Sequence, residues 1–561
     1  MKVSSFDIFD TCLIRKCGTP ENFFDVFSFR VFNGTIEEWE RQEFVAVRRL
    51  VEKKLSGSNP YYTLQDIWAN FSWEHPLLKS KEELCILEQE LEREMLVPVL
   101  SMRDKVNDCR KRGDKIIFIS DMYLSSEFLI SVMRECGFYQ DGDSLYVSCE
   151  CKARKSEGDL FHYVRDKEGL KSFSNWHHYS DNKEGDYKVP KKLGIRCTFI
   201  NHEYTPYQKQ WKDNDYSLGF KYPSILAGIG RALHYSTEWN THTDFVLDII
   251  APFYCSLVYR MMKDAEQRGI KRLYFCARDA YMMYLIAQKY AKLFPSIEAL
   301  FLYISRTALY DGDDVAKIAY YKQIGLATKD DYVGIVDIRS SGRTLVFLND
   351  YLSNQGYLPV RGYYYELFCQ AVDIQQEYSP TDYYIELSDR YDATKAHMIG
   401  SISHVFETFF PLNTLPKTID YTIDPTGASP IFEQPGEDSE ADIDMIRIDN
   451  KEYWAMVHQQ LISSFADAYL KTGLYYHSDN IFDIASTTLF YFIKEPQKHY
   501  LQTLQCLQGK EWNTDFLPYV RKESWIRLLF TRGKDSLWKQ GTLALNNFTW
   551  FQKLYQMIRY E

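Results

Sequence analysis

Val3-Ser4-Ser5-Phe6-Asp7-Ile8-Phe9-Asp10-Thr11 opens the chain, and this stretch decides the reading of the fold. Apolar and β-favouring residues run into two aspartates and a threonine, the composition of a strand that gives way to a loop. In a doubly wound α/β sheet, ligands sit where the strands reach their carboxyl ends. A carboxylate fixed there can attack an electrophile or hold a divalent cation. By itself the pattern is weak; its weight comes from three segments downstream.

Lys115-Ile116-Ile117-Phe118-Ile119-Ser120-Asp121 is an apolar strand ending in a hydroxyl residue. Lys155 begins Lys155-Ser156-Glu157-Gly158-Asp159-Leu160-Phe161. Trp176-His177-His178-Tyr179-Ser180-Asp181-Asn182-Lys183-Glu184-Gly185-Asp186 is a further strand ending in spaced carboxylates. Asp, Ser, Lys and an Asp pair in this order, three of them after strands, resemble the haloacid-dehalogenase-like (HAD) phosphohydrolase superfamily over residues 1 to about 200. The resemblance implies that Asp7 is a nucleophile that becomes an aspartyl phosphate. It also implies that Asp181, with Asp186 nearby, holds Mg²⁺ together with Asp7 and the Phe9 carbonyl, and that Ser120 and Lys155 bind the phosphoryl oxygens. Such chemistry needs a cation, because phosphoryl oxygens crowd negative charge around the attacking carboxylate. The competing reading, Asp7 or Asp181 as a helix cap, would require four coincidences.

One position departs from the resemblance. Phosphatases of this superfamily usually carry a second Asp two residues after the nucleophile, as general acid for the leaving group. Phe9 stands there and cannot donate a proton. Asp10 follows, facing the other way if the strand continues unless a loop redirects it. Dehalogenases of the superfamily also lack an acid at that position. Between Thr11 and Lys115, Glu37–Lys54 and Lys79–Arg112 carry apolar residues at three- and four-residue spacing, which predicts a helical cap over Asp7, about residues 20–112, with its charges on solvated faces.

The 561 residues suit two or three domains, and 45% hydrophobic residues supply ample core. A formal net charge of −11 argues against broad nucleic-acid binding. Twelve cysteines without a regular framework suit a reducing cytosol. Met1 leads directly into the first strand, leaving no room for a signal peptide. The apolar stretch Val246–Met262 contains Asp248, Pro252 and Arg260 and reads as a core helix too short and polar to span a bilayer. The expected location is cytoplasmic, with peripheral association at the inner membrane face as a variant.

A second α/β pattern begins after a polar, aromatic linker at 201–222. Strands are expected at Arg272–Cys276, Ala299–Ile304, Val333–Asp337 and Val360–Leu367, with helices between them, giving a mostly parallel sheet over about 223–390. The fold class is therefore α/β: two Rossmann-like parallel-sheet domains and, from 391 to 561, a mainly helical, aromatic-rich lobe that is a candidate for acceptor binding or for core packing alone. The segment 424–444, rich in Pro, Gly, Ser and acids, reads as a long exposed loop. Asp337 closes its strand before Ile338-Arg339-Ser340-Ser341-Gly342-Arg343-Thr344, where glycine, hydroxyls and a helix start suit an anion. This stretch resembles the phosphoribosyl-pyrophosphate (PRPP) loop of type I phosphoribosyltransferases, with Val336 where a first acid is usual. The resemblance implies that Asp337 reaches ribose hydroxyls and that Ser340, Ser341, Gly342, Arg343 and Thr344 cradle the 5-phosphate. Arg278, beside Asp279, and Arg306 stand at strand ends where a diphosphate would need charge. Glu407, in His404-Val405-Phe406-Glu407-Thr408-Phe409-Phe410-Pro411, is a candidate for handling a sugar hydroxyl.

Together these resemblances imply a bifunctional enzyme: transfer of 5-phosphoribosyl from PRPP to a glycan or glycolipid acceptor, then removal of the 5-phosphate to leave ribofuranose. The setting they imply is surface-polysaccharide (capsule or lipopolysaccharide) biosynthesis, with other enzymes of that process as partners, Mg²⁺ as cofactor and no nucleic acid or transmembrane segment. Two alternatives stay open. One is a single HAD sugar-phosphate phosphatase with a glycan-binding second half; the other is a non-catalytic HAD scaffold.

Overall fold

The computed structural model describes residues 2–213, 222–237, 241–340, 342–367, 383–385, 402, 405–434, 446–509, 517–524, 526–528 and 535–547. The chain forms two compact units: residues 1–239 with 468–476, and residues 240–467 with 477–561. Each is an α/β domain built on a five-stranded parallel sheet.

In the first unit the strands are β1 (Val3–Phe6), β2 (Leu13–Arg15), β3 (Leu96–Pro98), β4 (Lys115–Ser120), β5 (Ser144–Val147), β6 (Trp176–Ser180) and β7 (Arg196–Phe199). The parallel sheet has the order β5-β4-β1-β6-β7. β1 lies at its centre, with Val3 opposite both Lys115 and Trp176. All four residues of β1 are buried, as a strand covered on both faces requires. The chain leaves β1 toward β4 and leaves β6 toward β7, so the crevice at the strands' carboxyl ends opens between β1 and β6. Asp7 and Asp181 are the first residues past those two strands.

β2 and β3 pair antiparallel outside the sheet and frame a helical cap of Pro20–Phe32, Glu38–Ser58, Leu64–Ala69 and Lys81–Met95. The expected helical run over 79–112 is thus two helices, the second Leu100–Lys111, because Val97 and Pro98 favour extended backbone. The charges of the cap are not all solvated, contrary to the expectation. Arg48 is fully buried and meets Glu88 at 2.7 Å, and Arg15 meets Glu92 at 2.7 Å with both side chains almost inaccessible. Glu88 also accepts from Trp68 Nε1 (2.9 Å) and Tyr123 Oη (3.3 Å). A carboxylate with that many donors can leave water; spacing alone does not reveal the donors.

Past β7, the polar stretch read as a linker holds the helix Pro206–Asp213, while 214–221 lie outside the described residues. The next helix, Tyr222–Tyr235, belongs to the same unit. It packs where Gly228 meets Gly18: a Cβ built on Gly228 would lie 2.2 Å from the Gly18 nitrogen. Asn22 Nδ2 ties the contact by donating to Cys17 O (2.8 Å) and Ser224 Oγ (2.9 Å).

The second unit carries β8 (Arg272–Cys276), β9 (Glu298–Leu302), β10 (Val333–Val336), β11 (Arg339–Ser340), β12 (Arg361–Tyr364), β13 (Glu366–Leu367) and β14 (Tyr383–Ile385). Its parallel sheet has the order β14-β12-β10-β8-β9. The stretch expected as one strand at 360–367 is two, since β13 leaves the main sheet to pair with β11. The chain departs from β8 toward β9 and from β10 toward β12. The crevice therefore lies between β8 and β10, and Asp279 and Asp337 follow those strands.

Residues 242–267 form one continuous helix of 26 residues whose most apolar 18-residue window has a mean hydropathy of 1.4, longer than the sequence reading allowed. A π turn at Val246–Ile250 lets it run through Asp248, and 89% of its most apolar window is buried, as in a core helix. The expected loop at 424–444 begins instead as a hairpin, Thr418–Asp424 with Gly427–Phe432; residues 435–445 lie outside the described residues. Beyond the hairpin, long helices Lys451–Lys471 and Ser478–Lys494 accompany a small antiparallel sheet of Ile446–Ile448, Leu507–Gly509 and Leu517–Pro518.

Candidate active site

The crevice of the first unit holds a cleft of about 220 Å³ lined by Asp7, Phe9, Asp10, Ser120, Asp121, Lys155, Ser156, Asp181, Asn182, Gly185 and Asp186. The structure thus brings together every residue singled out in the amino-terminal half. β1 ends at Phe6, and the Asp7 amide still donates to Tyr179 O on β6 at 2.9 Å, which pins the carboxylate at the sheet's edge. The chain then turns back: Ile8 O accepts from Cys12 N (2.9 Å) and Leu13 N (2.8 Å). Asp10 takes a left-handed conformation (φ 51°) in that turn, a region costly for a residue with a Cβ. The turn redirects Asp10 into the cleft, where a continued strand would have turned it away.

Lys155 is the hinge of the charge arrangement. Its ammonium donates to Asp7 Oδ1 at 2.6 Å and to Asp186 Oδ2 at 2.9 Å, with all three side chains buried. Its backbone N–H donates to both oxygens of Asp121, at 3.0 and 3.1 Å. Burial works against the charged lysine, yet Asp186, Asp7 and Asp121 raise its pKa and hold it protonated. Burial also pushes the Asp7 carboxyl well above its ordinary range; Lys155 opposes this, and Asp186 and Asp181 add to it. Asp121 and Asp181 are raised as well, each chiefly by burial. Thr11 Oγ1 donates to Asp181 Oδ1 at 3.1 Å, and Ser120 ends β4 almost fully buried.

This cleft has a surplus of negative charge: five aspartates and one lysine line it. Asp186 Oδ1 is buried without a hydrogen-bond partner among the described residues. Both observations fit a hard divalent cation held by oxygen. Among the described residues no three His, Cys, Asp or Glu side chains already converge as a metal-binding group. A cation here would therefore rest on two carboxylates, a carbonyl and water, as Mg²⁺ commonly does.

Two contributors were not singled out from sequence. Asp121 was legible, being the residue after Ser120. Arg231 was not. It reaches Asp10 Oδ1 at 3.2 Å while donating to His202 O and Tyr204 Oη, both at 3.1 Å. Nothing in its helix marks it apart from other arginines.

In the second unit, the crevice between β8 and β10 gathers Arg278, Asp279, Arg306, Asp337 and Glu407 into one electrostatic group. Burial first, then the Asp279 charge, push Asp337 up to about 8. Asp279 is pushed up to about 6 by burial, against Arg278, with Glu407 adding to the rise. Asp279 is nonetheless exposed to solvent. Arg278 is left-handed (φ 69°), and its carbonyl accepts from Asn413 Nδ2 at 2.8 Å. Glu407 sits in a π turn, Val405–Phe409, and pairs with Arg339.

The Ser340–Thr344 loop departs from an open phosphate cradle. Ser340 lies in β11, its Oγ accepts the Gly342 amide at 3.1 Å, and Gly342 (φ 81°) caps a helix that begins at Arg343. One amide meant for a phosphate is thus satisfied internally. Gly342 is buried, Arg343 exposed and Thr344 half-buried; Ser341 lies outside the described residues.

No family model matches the chain, and no curated protein is significantly similar to it. Among solved structures, it is similar to a HAD phosphatase from Thermococcus onnurineus, with 19% identity over 36% of this chain and 87% of that one and a TM-score of 0.27. It is also similar to the L-2-haloacid dehalogenase from Xanthobacter autotrophicus, with 13% identity over 40% of this chain and 86% of that one and a TM-score of 0.29. Likeness at this level assigns no chemistry, and the function rests on the clefts themselves.

Proposed function

We propose that the amino-terminal unit is a Mg²⁺-dependent phosphohydrolase of HAD type acting on a sugar phosphate. The observation that carries this reading is the buried Lys155 ammonium bridging Asp7 and Asp186 at the switch point of the sheet. Asp7 attacks phosphorus and forms the acyl phosphate as the P–O bond to the sugar breaks; the leaving sugar oxygen takes a proton from water, and a second water then hydrolyses the acyl phosphate, releasing inorganic phosphate and restoring Asp7. Lys155 steadies the phosphoryl oxygens and keeps Asp7 oriented, and the Ser120 hydroxyl donates to one of those oxygens. Asp7, Asp181 and the Phe9 carbonyl would hold Mg²⁺, with Asp186 beside it. Bound there, the ion offsets the charge that develops on the transferring group. A cleft of about 220 Å³ admits a phosphoryl group and a few waters, at roughly 30 Å³ per water.

The test is release of inorganic phosphate from p-nitrophenyl phosphate with Mg²⁺. Wild type should turn over, EDTA should stop it, and Asp7→Asn should lose roughly 10³-fold or more in kcat, as loss of a nucleophile does. Equal rates in wild type and Asp7→Asn would remove the reading.

A second reading adds transfer of 5-phosphoribosyl from PRPP to a glycan hydroxyl by the carboxy-terminal unit, in surface-polysaccharide synthesis. Support comes from the acids and arginines gathered at the carboxyl ends of β8 and β10. The self-satisfied Gly342 amide counts against it. Calorimetry with PRPP and Mg²⁺ decides the matter: binding that Asp337→Ala weakens sustains transfer, and no binding ends it.

A further inference from the structure

Asp10 meets a cation that no strand of the sheet supplies. Arg231 stands in the helix Tyr222–Tyr235, beyond β7, and its Nη2 donates to Asp10 Oδ1 at 3.2 Å. Its Nε donates to His202 O and its Nη1 to Tyr204 Oη, both at 3.1 Å. The guanidinium also lies 4.6 Å from the centre of the Tyr204 ring. Held on these sides, the arginine is only 10% exposed. His202 in turn meets Thr11 O through Nε2 at 3.3 Å, and Thr11 Oγ1 donates to Asp181 Oδ1 at 3.1 Å. A segment outside the sheet thus holds both residues that follow Phe9.

Asp10 keeps one oxygen for the cleft. It lines that space of about 220 Å³ with Asp7 and Asp181, and its side chain is 25% exposed. Among the described residues only its Oδ1 accepts a hydrogen bond. Paired with Arg231, Asp10 is a carboxylate, an acceptor with no proton to give. Phe9 has none either. The two steps of the hydrolysis make opposite demands on such a group. Departure of the sugar calls for a proton donor, whereas hydrolysis of the acyl phosphate calls for an acceptor.

We propose that Asp10 serves the second step alone, orienting the attacking water through Oδ2 and taking one of its protons. As that proton moves, the water oxygen bonds phosphorus and the P–O bond to Asp7 breaks. Asp7 leaves as a carboxylate, inorganic phosphate departs, and Asp10 passes its proton to solvent. Arg231 is a positioning residue: it aims Oδ2 and balances the charge that Asp10 adds to an acid-rich cleft. The proposal rests on reading the amino-terminal unit as a phosphohydrolase. It adds a residue pair that joins the nucleophile's loop to a helix 221 residues further along the chain.

The experiment follows a single turnover of p-nitrophenyl phosphate with Mg²⁺ and an excess of the full chain. Nitrophenolate release reports the first step. Acid quench and mass spectrometry of the Asp7 peptide report the acyl phosphate and its decay. Asp10→Asn keeps the shape, and asparagine tolerates the left-handed backbone there. It should slow decay roughly 10²-fold or more, as loss of a general base does, without slowing nitrophenolate release, so acyl phosphate accumulates. Phenyl phosphate, with its more basic leaving group, should react more slowly by the same factor in wild type and Asp10→Asn. Arg231→Gln should slow decay roughly tenfold, the worth of a hydrogen bond to a charged group, and Arg231→Lys should recover part of that loss. Release and decay slowed alike in Asp10→Asn, the mark of a structural role, would overturn the proposal. So would a phenyl phosphate factor larger in Asp10→Asn than in wild type, which would make Asp10 an acid, or an Arg231→Lys no better than Arg231→Gln. Acyl phosphate that forms on Asp7 and decays at the wild-type rate in Asp10→Asn would end this proposal and leave the phosphohydrolase reading standing. Turnover with none on Asp7 in either protein would end both.

Discussion

Replacing Lys155 with Met tests whether the buried ammonium is what allows Asp7 and Asp186 to share a dry cleft. The three side chains are 4%, 10% and 4% exposed, and the contacts are 2.6 and 2.9 Å. Lys155→Met keeps most of the volume and removes the charge, leaving two carboxylates buried without their partner. Breaking a buried pair in this way costs about 3–5 kcal/mol. A 561-residue chain with two compact units is not expected to unfold in one step, so a local measure is needed. Hydrogen exchange of the β1 amides, read in EDTA, reports the stability of this sheet. A loss of about 3 kcal/mol should speed their exchange by about two orders of magnitude, at 1.4 kcal/mol per tenfold. Adding Asp7→Asn and Asp186→Asn to Lys155→Met neutralises the stranded acids and should recover most of the protection. If Lys155→Met leaves β1 exchange unchanged, or the triple variant is as labile as the single one, the cleft does not depend on this charge balance.

Other consequences can be measured in parallel. Glu88→Gln should destabilise the cap by about 1.5–3 kcal/mol, the worth of hydrogen bonds to a charged group, because it leaves the buried Arg48 only its half-buried partner Glu52 at 3.0 Å; faster exchange confined to residues 38–95 would show it, and unchanged exchange there would contradict it. Gly228→Ala should cost about 1–3 kcal/mol and loosen the helix Tyr222–Tyr235, since the added methyl meets backbone at 2.2 Å; unchanged exchange across that helix would be a failure. Burial lowers His178 to about 3, His458 to about 3 and His242 to about 2. Their folded values lie below the unfolded 6.5, so this stability is complete above pH 6.5 and drains as pH falls, by up to about 1.4 kcal/mol per pH unit for each histidine. The first unit's urea midpoint should therefore lose more between pH 7.5 and 5.5 in wild type than in His178→Gln, while the second unit's change is the same in both; an equal change in the first unit would contradict it.

What could be read in advance and what could not divide along a physical line. Asp7, Ser120 and Asp181 were legible because each follows or ends a local apolar run, and strand ends announce themselves within a few residues; Lys155 was legible only through its place in the set. The order of the strands then brought them together without further information. Asp10 was misleading locally: β-favouring residues continue to Thr11, but β1 ends at Phe6, and the left-handed turn decides where Asp10 points. Arg48 and Arg231 were illegible for a different reason. Their significance comes from partners 40 and more than 200 residues away, Glu88 and Asp10, and no periodicity encodes a contact of that range. The loop at 340–344 shows the converse, since its composition suited a phosphate while the fold had already engaged one of its amides.

The most direct measurement is a rapid acid quench during turnover of p-nitrophenyl phosphate with Mg²⁺, followed by peptide mass spectrometry. The account predicts one phosphoryl group on the peptide that contains Asp7, absent in Asp7→Asn and absent without Mg²⁺. Mg²⁺-dependent turnover with no phosphoryl on that peptide, or with the group on another residue, would contradict it.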